Sequence, residues 1–193
     1  MSADLFSHIW GPAHPDIIFY LPTPPVLPAQ WHAAQMDAIT QLVELNGNHW
    51  RKIVTIMAKI CCLQHDINIH KGACWKLIRD NLFSEADELQ QELSHKQVRS
   101  CINVARLRCQ LRIVNPHSNH TLASALTTSS WHLVCGKETQ LRMGITANPS
   151  YEPLDPQQKI KRQHTVLLTP YLDYRQYSNK LIELTRQHIT AKK

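Results

Sequence analysis

The chain has 193 residues, 43% of them apolar and 19% charged, with a formal net charge of +6 and a pI near 9.1. That is the profile of one soluble globular domain, residues 1–193, with room for a proper core. The positive balance admits a polyanionic partner without requiring one. The richest apolar run, Ile53 to Leu63, is broken by Lys59 and falls short of the ~20 residues a membrane helix needs, so no membrane partner is expected.

Met1-Ser2-Ala3-Asp4 lacks the basic start and apolar run of a signal peptide, and a cytoplasmic location is expected. Residues 1–16 read as an irregular lead-in. Ile17-Ile18-Phe19-Tyr20-Leu21 is a continuous apolar run, the pattern of a strand buried on both faces. The prolines from Pro22 to Pro28 make the next stretch a loop. A helix is predicted from about Ala29, with Trp31, Ala34, Ala38, Leu42 and Leu45 at helical spacing, ending at Asn46-Gly47. Asn48 can cap a second helix that carries Trp50, Ile53, Val54, Met57 and Cys61 on one face.

A third helix is predicted over Ala73–Leu82. Ser84-Glu85-Ala86-Asp87 has capping-box spacing for a fourth, with a solvent-facing helical region to Arg99. Leu107, Cys109, Leu111 and Ile113 alternate with Arg108, Gln110 and Arg112, which predicts a half-exposed strand. A small helix is expected around Thr121–Leu126. Trp131-His132-Leu133-Val134-Cys135 is another buried strand, followed by either a helix from Glu138 to Met143 or a hairpin turning at Gly136-Lys137. Asn148 to Lys161 reads as loop. Thr165–Leu168 is a further strand, followed by Thr169-Pro170 and a final helix from Ser178 to Ile189. Strands separated by helices predict an α/β fold, a three-layer α/β/α sandwich with a central, mainly parallel sheet. Ligands bind beyond the carboxyl ends of such strands, so the two proline-bearing loops mark the expected cleft.

The remaining constellations are weaker. Cys61, Cys62, His65, His70 and Cys74 are five potential metal ligands, but their spacing matches no usual zinc pattern. Reduced thiols and no cofactor are therefore expected. Nucleophile elbow, P-loop, dinucleotide fingerprint and HExxH motifs are all missing, and the chain has only five glycines. His14 and Asp16 flank Pro15 in what reads as ordinary surface. Tyr171, Tyr174 and Tyr177 surround Arg175, and aromatic faces beside a cation can stack on exposed bases and meet phosphates. A tyrosine-rich loop packed on its own domain fits the same pattern.

Four short stretches also occur in an order that resembles a known family. They are Leu21-Pro22-Thr23-Pro24-Pro25, Asn48-His49-Trp50-Arg51-Lys52, Val134-Cys135-Gly136-Lys137, and Thr169-Pro170-Tyr171-Leu172-Asp173-Tyr174-Arg175. In place and order they are similar to the motifs of the uracil-DNA glycosylase superfamily, closest to its mismatch-specific uracil/thymine branch, over about residues 17 to 189. The resemblance implies the sandwich fold, DNA as partner and a catalytic role for Thr23 in orienting water. It implies nucleic-acid contacts from Tyr20, Pro24, Asn48, Lys137, Pro170, Tyr171, Leu172, Tyr174 and Arg175. Tyr171 or Tyr20 would stack on the base, and Arg175 and Lys137 would meet phosphates. The departures bear on chemistry. Thr23 stands where the family has the asparagine that places the attacking water, and a hydroxyl lacks the amide's paired donor and acceptor. Leu21 and Pro25 replace glycines. The position of the leucine wedge falls at Asp173, or at Leu172 if the register shifts by one. The expected function is a glycosylase-like protein that binds a base or nucleotide with excision lost or altered. The alternatives are a binding module without chemistry and a protein-interaction domain that retains only the sandwich.

Overall fold

The structure is a computed structural model that describes residues 5–63, 74–84, 106–116, 129–145 and 150–191. The predicted helices beyond Ser84 and around Thr121–Leu126 lie outside the described residues. Among those described, the fold is mixed α/β, with a seven-stranded sheet and four helices. None of these helices is long and apolar enough to cross a membrane.

The strands in chain order are β1 (Phe6–Trp10), β2 (Ile17–Leu21), β3 (Cys109–Val114), β4 (Trp131–Cys135), β5 (Glu152–Pro153), β6 (Lys161–Gln163) and β7 (Val166–Thr169). The helices are α1 (Ala38–Cys61), α2 (Cys74–Asp80), α3 (Lys137–Arg142) and α4 (Asn179–Thr190). Across the sheet the order is β1-β3-β2-β4-β7-β6-β5. The centre, β3-β2-β4-β7, is parallel; β1 on one edge and the β5-β6 pair on the other run antiparallel to their neighbours.

The apolar runs behave as their composition requires. Every residue of β2, β4 and β7 is buried, because strands with covered faces need apolar side chains on both. Ile17, Phe19, Leu21, Leu111, Leu133 and Leu167 join the cluster that also holds Ile53, Met57, Ile78 and Ile182 from α1, α2 and α4. Ile18, Tyr20, Val134 and Leu168 point the other way, toward Met143 at the end of α3.

Several expectations are corrected. The lead-in contains β1, whose Phe6, His8 and Trp10 alternate with more exposed neighbours and which pairs with β3. The first helix starts at Ala38, not Ala29. Trp31 stays in the core without helical backbone: its ring lies 4.8 Å from that of Trp10, and its indole N–H donates to the Ala38 carbonyl at 3.1 Å. A tertiary contact thus accounts for its apparent helical spacing. The predicted break at Asn46-Gly47 is present as a kink within α1, with Gly47 at φ 64° and ψ −150°. β3 is covered on both faces, not half-exposed. Gln110 is buried and donates to the Pro12 carbonyl at 2.7 Å, while the Arg112 guanidinium lies over the rings of Phe6 and Tyr20. After β4 the chain forms a helix, α3, and no hairpin. The expected loop before β7 contains the β5-β6 hairpin, turned by the Asp155 carboxylate, which accepts the N–H groups of Gln157 and Ile160.

Candidate functional site

The sheet order dictates where a site belongs. From β2 the chain crosses to β3 on one side; β4 and β7 follow on the other. The reversal leaves a crevice beyond the carboxyl ends of β2 and β4, the usual ligand position in open α/β sheets. A cleft of about 1310 Å³ lies there. Its walls include Pro22 and Thr23 after β2, Gly136 and Lys137 after β4, and Thr169, Pro170 and Tyr171 at the end of β7. The two proline-bearing loops therefore face one cleft.

Both loops are held from behind. The Arg142 guanidinium donates to the carbonyls of Pro22 and Val114 and is paired with Glu138. The Asn46 side chain binds the Val26 main chain twice, accepting its N–H and donating to its carbonyl, each at 2.8 Å. Exposed Thr23 lies between these two anchors. On the other wall, the Gln140 amide donates to the Thr169 carbonyl at 3.2 Å. Asp173 turns inward and fixes the second loop. It accepts the Arg175 backbone N–H at 2.9 Å and Lys52 Nζ at 3.0 Å.

These hydrogen bonds, with the backbone N–H of Arg175 first and Lys52 next, hold the Asp173 carboxyl well below the usual carboxylate range. A depressed folded-state pKa gives stability that is present above about pH 4, the ordinary value for the unfolded chain, and is lost as the pH falls toward the folded value. We expect Asp173→Asn to be less stable than the parent at pH 6, with the gap narrowing steadily below about pH 4. Denaturant midpoints measured across that range check this, and a gap that does not change with pH would contradict it.

The structure sorts the residues singled out from sequence. Thr23, Lys137, Pro170, Tyr171 and Arg175 line the cleft, and Arg175 is 85% exposed in its side chain. Tyr20 does not reach it. As an inner residue of β2 it is fully buried on the sheet face opposite α1, its hydroxyl 2.8 Å from His132 Nδ1. Burial pushes its phenol up to about 12. Pro24 is exposed but outside the lining. Asn48 also lies outside it, its side-chain oxygen accepting two bonds from Arg51. Leu172 is fully buried in the main core. Tyr174 is half-buried, with Lys59 Nζ 5.1 Å from its ring centre. Asp173 is paired with Lys52 and held by the loop's own backbone, away from a wedge position.

His49, Lys159 and Lys161 are among the lining residues that were not singled out. His49 lies just past the Gly47 kink and brings its ring beside Tyr171, with centroids 5.6 Å apart, planes 16° apart, and Nε2 3.0 Å from the tyrosine hydroxyl. Burial, reinforced by Cys135, Glu138 and Asp173, pushes the Tyr171 phenol up to about 12, so it remains a neutral O–H donor at physiological pH. Gly136 makes room for this ring: at φ +88°, a Cβ there would lie 3.2 Å from Tyr171 Cδ2. Lys159 and Lys161 arrive on the β5-β6 hairpin. With Lys137 and Arg175 they give the lining four cations, against Glu138, whose charge Arg142 offsets.

Among the candidate metal ligands, Cys61 and Cys62 are buried at the end of α1, and Cys74 opens α2. His65 and His70 lie outside the described residues. Among those described, no three His, Cys, Asp or Glu side chains converge on a metal-sized site.

No curated protein and no solved structure matches the chain. A family match covers residues 8–190, nearly the whole chain and all the elements that build the cleft, and by it the protein belongs to DUF6942, a family of unknown function.

Proposed function

We propose that this protein binds nucleic acid through the cleft at the ends of β2, β4 and β7, taking a base or nucleotide into it, on a sheet that forms the middle layer of a uracil-DNA-glycosylase-like α/β/α sandwich. The observation that carries the reading is the meeting, in one crevice, of four cations with a paired tyrosine and histidine. Cations neutralise phosphates, and flat rings stack on bases of any sequence. Uracil excision is weak or absent in this reading, because Thr23 stands where the uracil-DNA glycosylase superfamily has its water-placing asparagine, between two otherwise fixed loop ends. In a residual activity Thr23 orients the water, so abasic-site formation that survives Thr23→Ala would remove that role.

Fluorescence anisotropy with labelled single-stranded, duplex and uracil-containing duplex DNA tests the proposal. Binding at low salt that weakens toward physiological salt and prefers one of these forms is expected. No binding to any form at low salt would overturn it. The second reading is a protein-interaction domain. It draws on large apolar side chains that face solvent, among them Val26, Met36 and Leu45, which are 68%, 76% and 50% exposed, since a protein partner can bury exposed apolar surface. A stoichiometric protein partner, with no DNA binding, would favour it.

A further inference from the structure

Resting on the nucleic-acid reading above, we propose that His49 and Tyr171 act together as a base-stacking platform, so that the ligand class is an unpaired nucleobase carrying phosphate and not a bare polyanion. The geometry is that of a prepared surface. The two rings are nearly parallel, 5.6 Å between centroids, and are locked to one another by the bond between the tyrosine hydroxyl and His49 Nε2. Tyr171 is backed closely by the Gly136 main chain, where a Cβ would come within 3.2 Å of the ring. Its loop is held by Asp173, and His49 is aimed by the Gly47 kink two residues before it. Neither ring therefore has to be ordered when a ligand arrives, which lowers the cost of binding.

Half-buried Tyr171 forms the inner part of the platform and exposed His49 the outer part. A base entering the cleft extends this stack while Lys137, Lys159, Lys161 and Arg175 meet its phosphates. A polyanion without bases would use only the cations and leave the rings idle. The platform also tolerates any base, since every base has a π-face. The two residues are stacking residues in this account and carry no bond-making step.

The test compares two labelled probes of equal length and charge, a short oligodeoxythymidine and an abasic strand, by anisotropy at low salt. The parent protein is expected to prefer the base-bearing strand by about 5- to 150-fold, the range for stacking of one base. His49→Ala and Tyr171→Leu should lose most of that preference while keeping the affinity for the abasic strand. His49→Phe, which restores a ring without the hydrogen bond, should recover it. Lys137→Ala should weaken both probes alike. Equal affinity of the parent protein for the two probes would overturn the platform while leaving the nucleic-acid reading standing. So would an undiminished preference in His49→Ala, whose exposed site makes misfolding an inadequate explanation of any loss. Failure to bind either probe would overturn both readings.

Discussion

Gly11→Ala should lower stability by more than about 3 kcal/mol and leave little folded protein in mild denaturant. The glycine follows β1 at φ +109°, where L side chains are strained. A Cβ on it would lie 2.3 Å from the Cys109 carbonyl oxygen and 3.1 Å from Gln110 Cα. Both neighbours are backbone of β3, so neither can rotate aside. The added carbon would have to push apart the junction at which the Gln110 amide also binds the Pro12 carbonyl. β3 lies between β1 and β2 and registers directly with β2, so the displacement would pass into the parallel centre of the sheet. A urea midpoint close to that of the parent protein would show that this junction gives way more easily than its geometry implies.

Leu172→Ala should cost about 2–5 kcal/mol, the range for removing a large aliphatic side chain from a packed core. This is the second large effect, and it separates two roles for one residue. A wedge that enters DNA must be exposed in the free protein, and its truncation would leave stability almost untouched while weakening binding to duplex. Leu172 is fully buried and shares its cluster with Leu133, Leu167 and Tyr177. Thermal unfolding should therefore register the change, and binding normalised to folded protein should be close to that of the parent. The reverse result, parental stability with lost duplex binding, would place Leu172 back among the nucleic-acid contacts.

Much of this architecture was legible from the chain because it depends on local pattern. The nearly continuous apolar runs of β2 and β7, and that of β4 around His132, read as strands with both faces covered, and the prolines just beyond β2 and β7 as loops at their ends. The cleft followed from those two facts and the direction of parallel strands. What the pattern concealed was tertiary. Trp31 kept helical spacing in a non-helical segment because Trp10 and the Ala38 carbonyl hold it. Gln110 and Arg112 looked solvent-facing because alternation records polarity but not the Pro12 carbonyl or the aromatic rings that cover them.

The candidate site divides in the same way. Thr23, Lys137, Tyr171 and Arg175 lie beyond strand ends and were reachable from sequence. Tyr20 sits inside β2, where its side chain faces a sheet layer and not the crevice, which a buried apolar run does not reveal. Lys159 and Lys161 depend on a hairpin whose turn rests on one aspartate, Asp155. His49 did leave a signal: the glycine kink that redirects α1 stands two residues before it. Its partnership with Tyr171, 122 positions away in sequence, did not.

The proposal stands or falls on whether nucleic acid binds in the basic cleft. The most direct test is the slope of log affinity against log salt for a short single strand, in the parent protein and in the quadruple variant Lys137→Ala, Lys159→Ala, Lys161→Ala, Arg175→Ala. Four cleft cations, each neutralising one phosphate, predict a slope of about −2.8 for the parent protein. The quadruple variant should be nearly flat, with affinity reduced most at low salt. The same slope and affinity in both proteins would contradict the account and move the binding surface off the cleft.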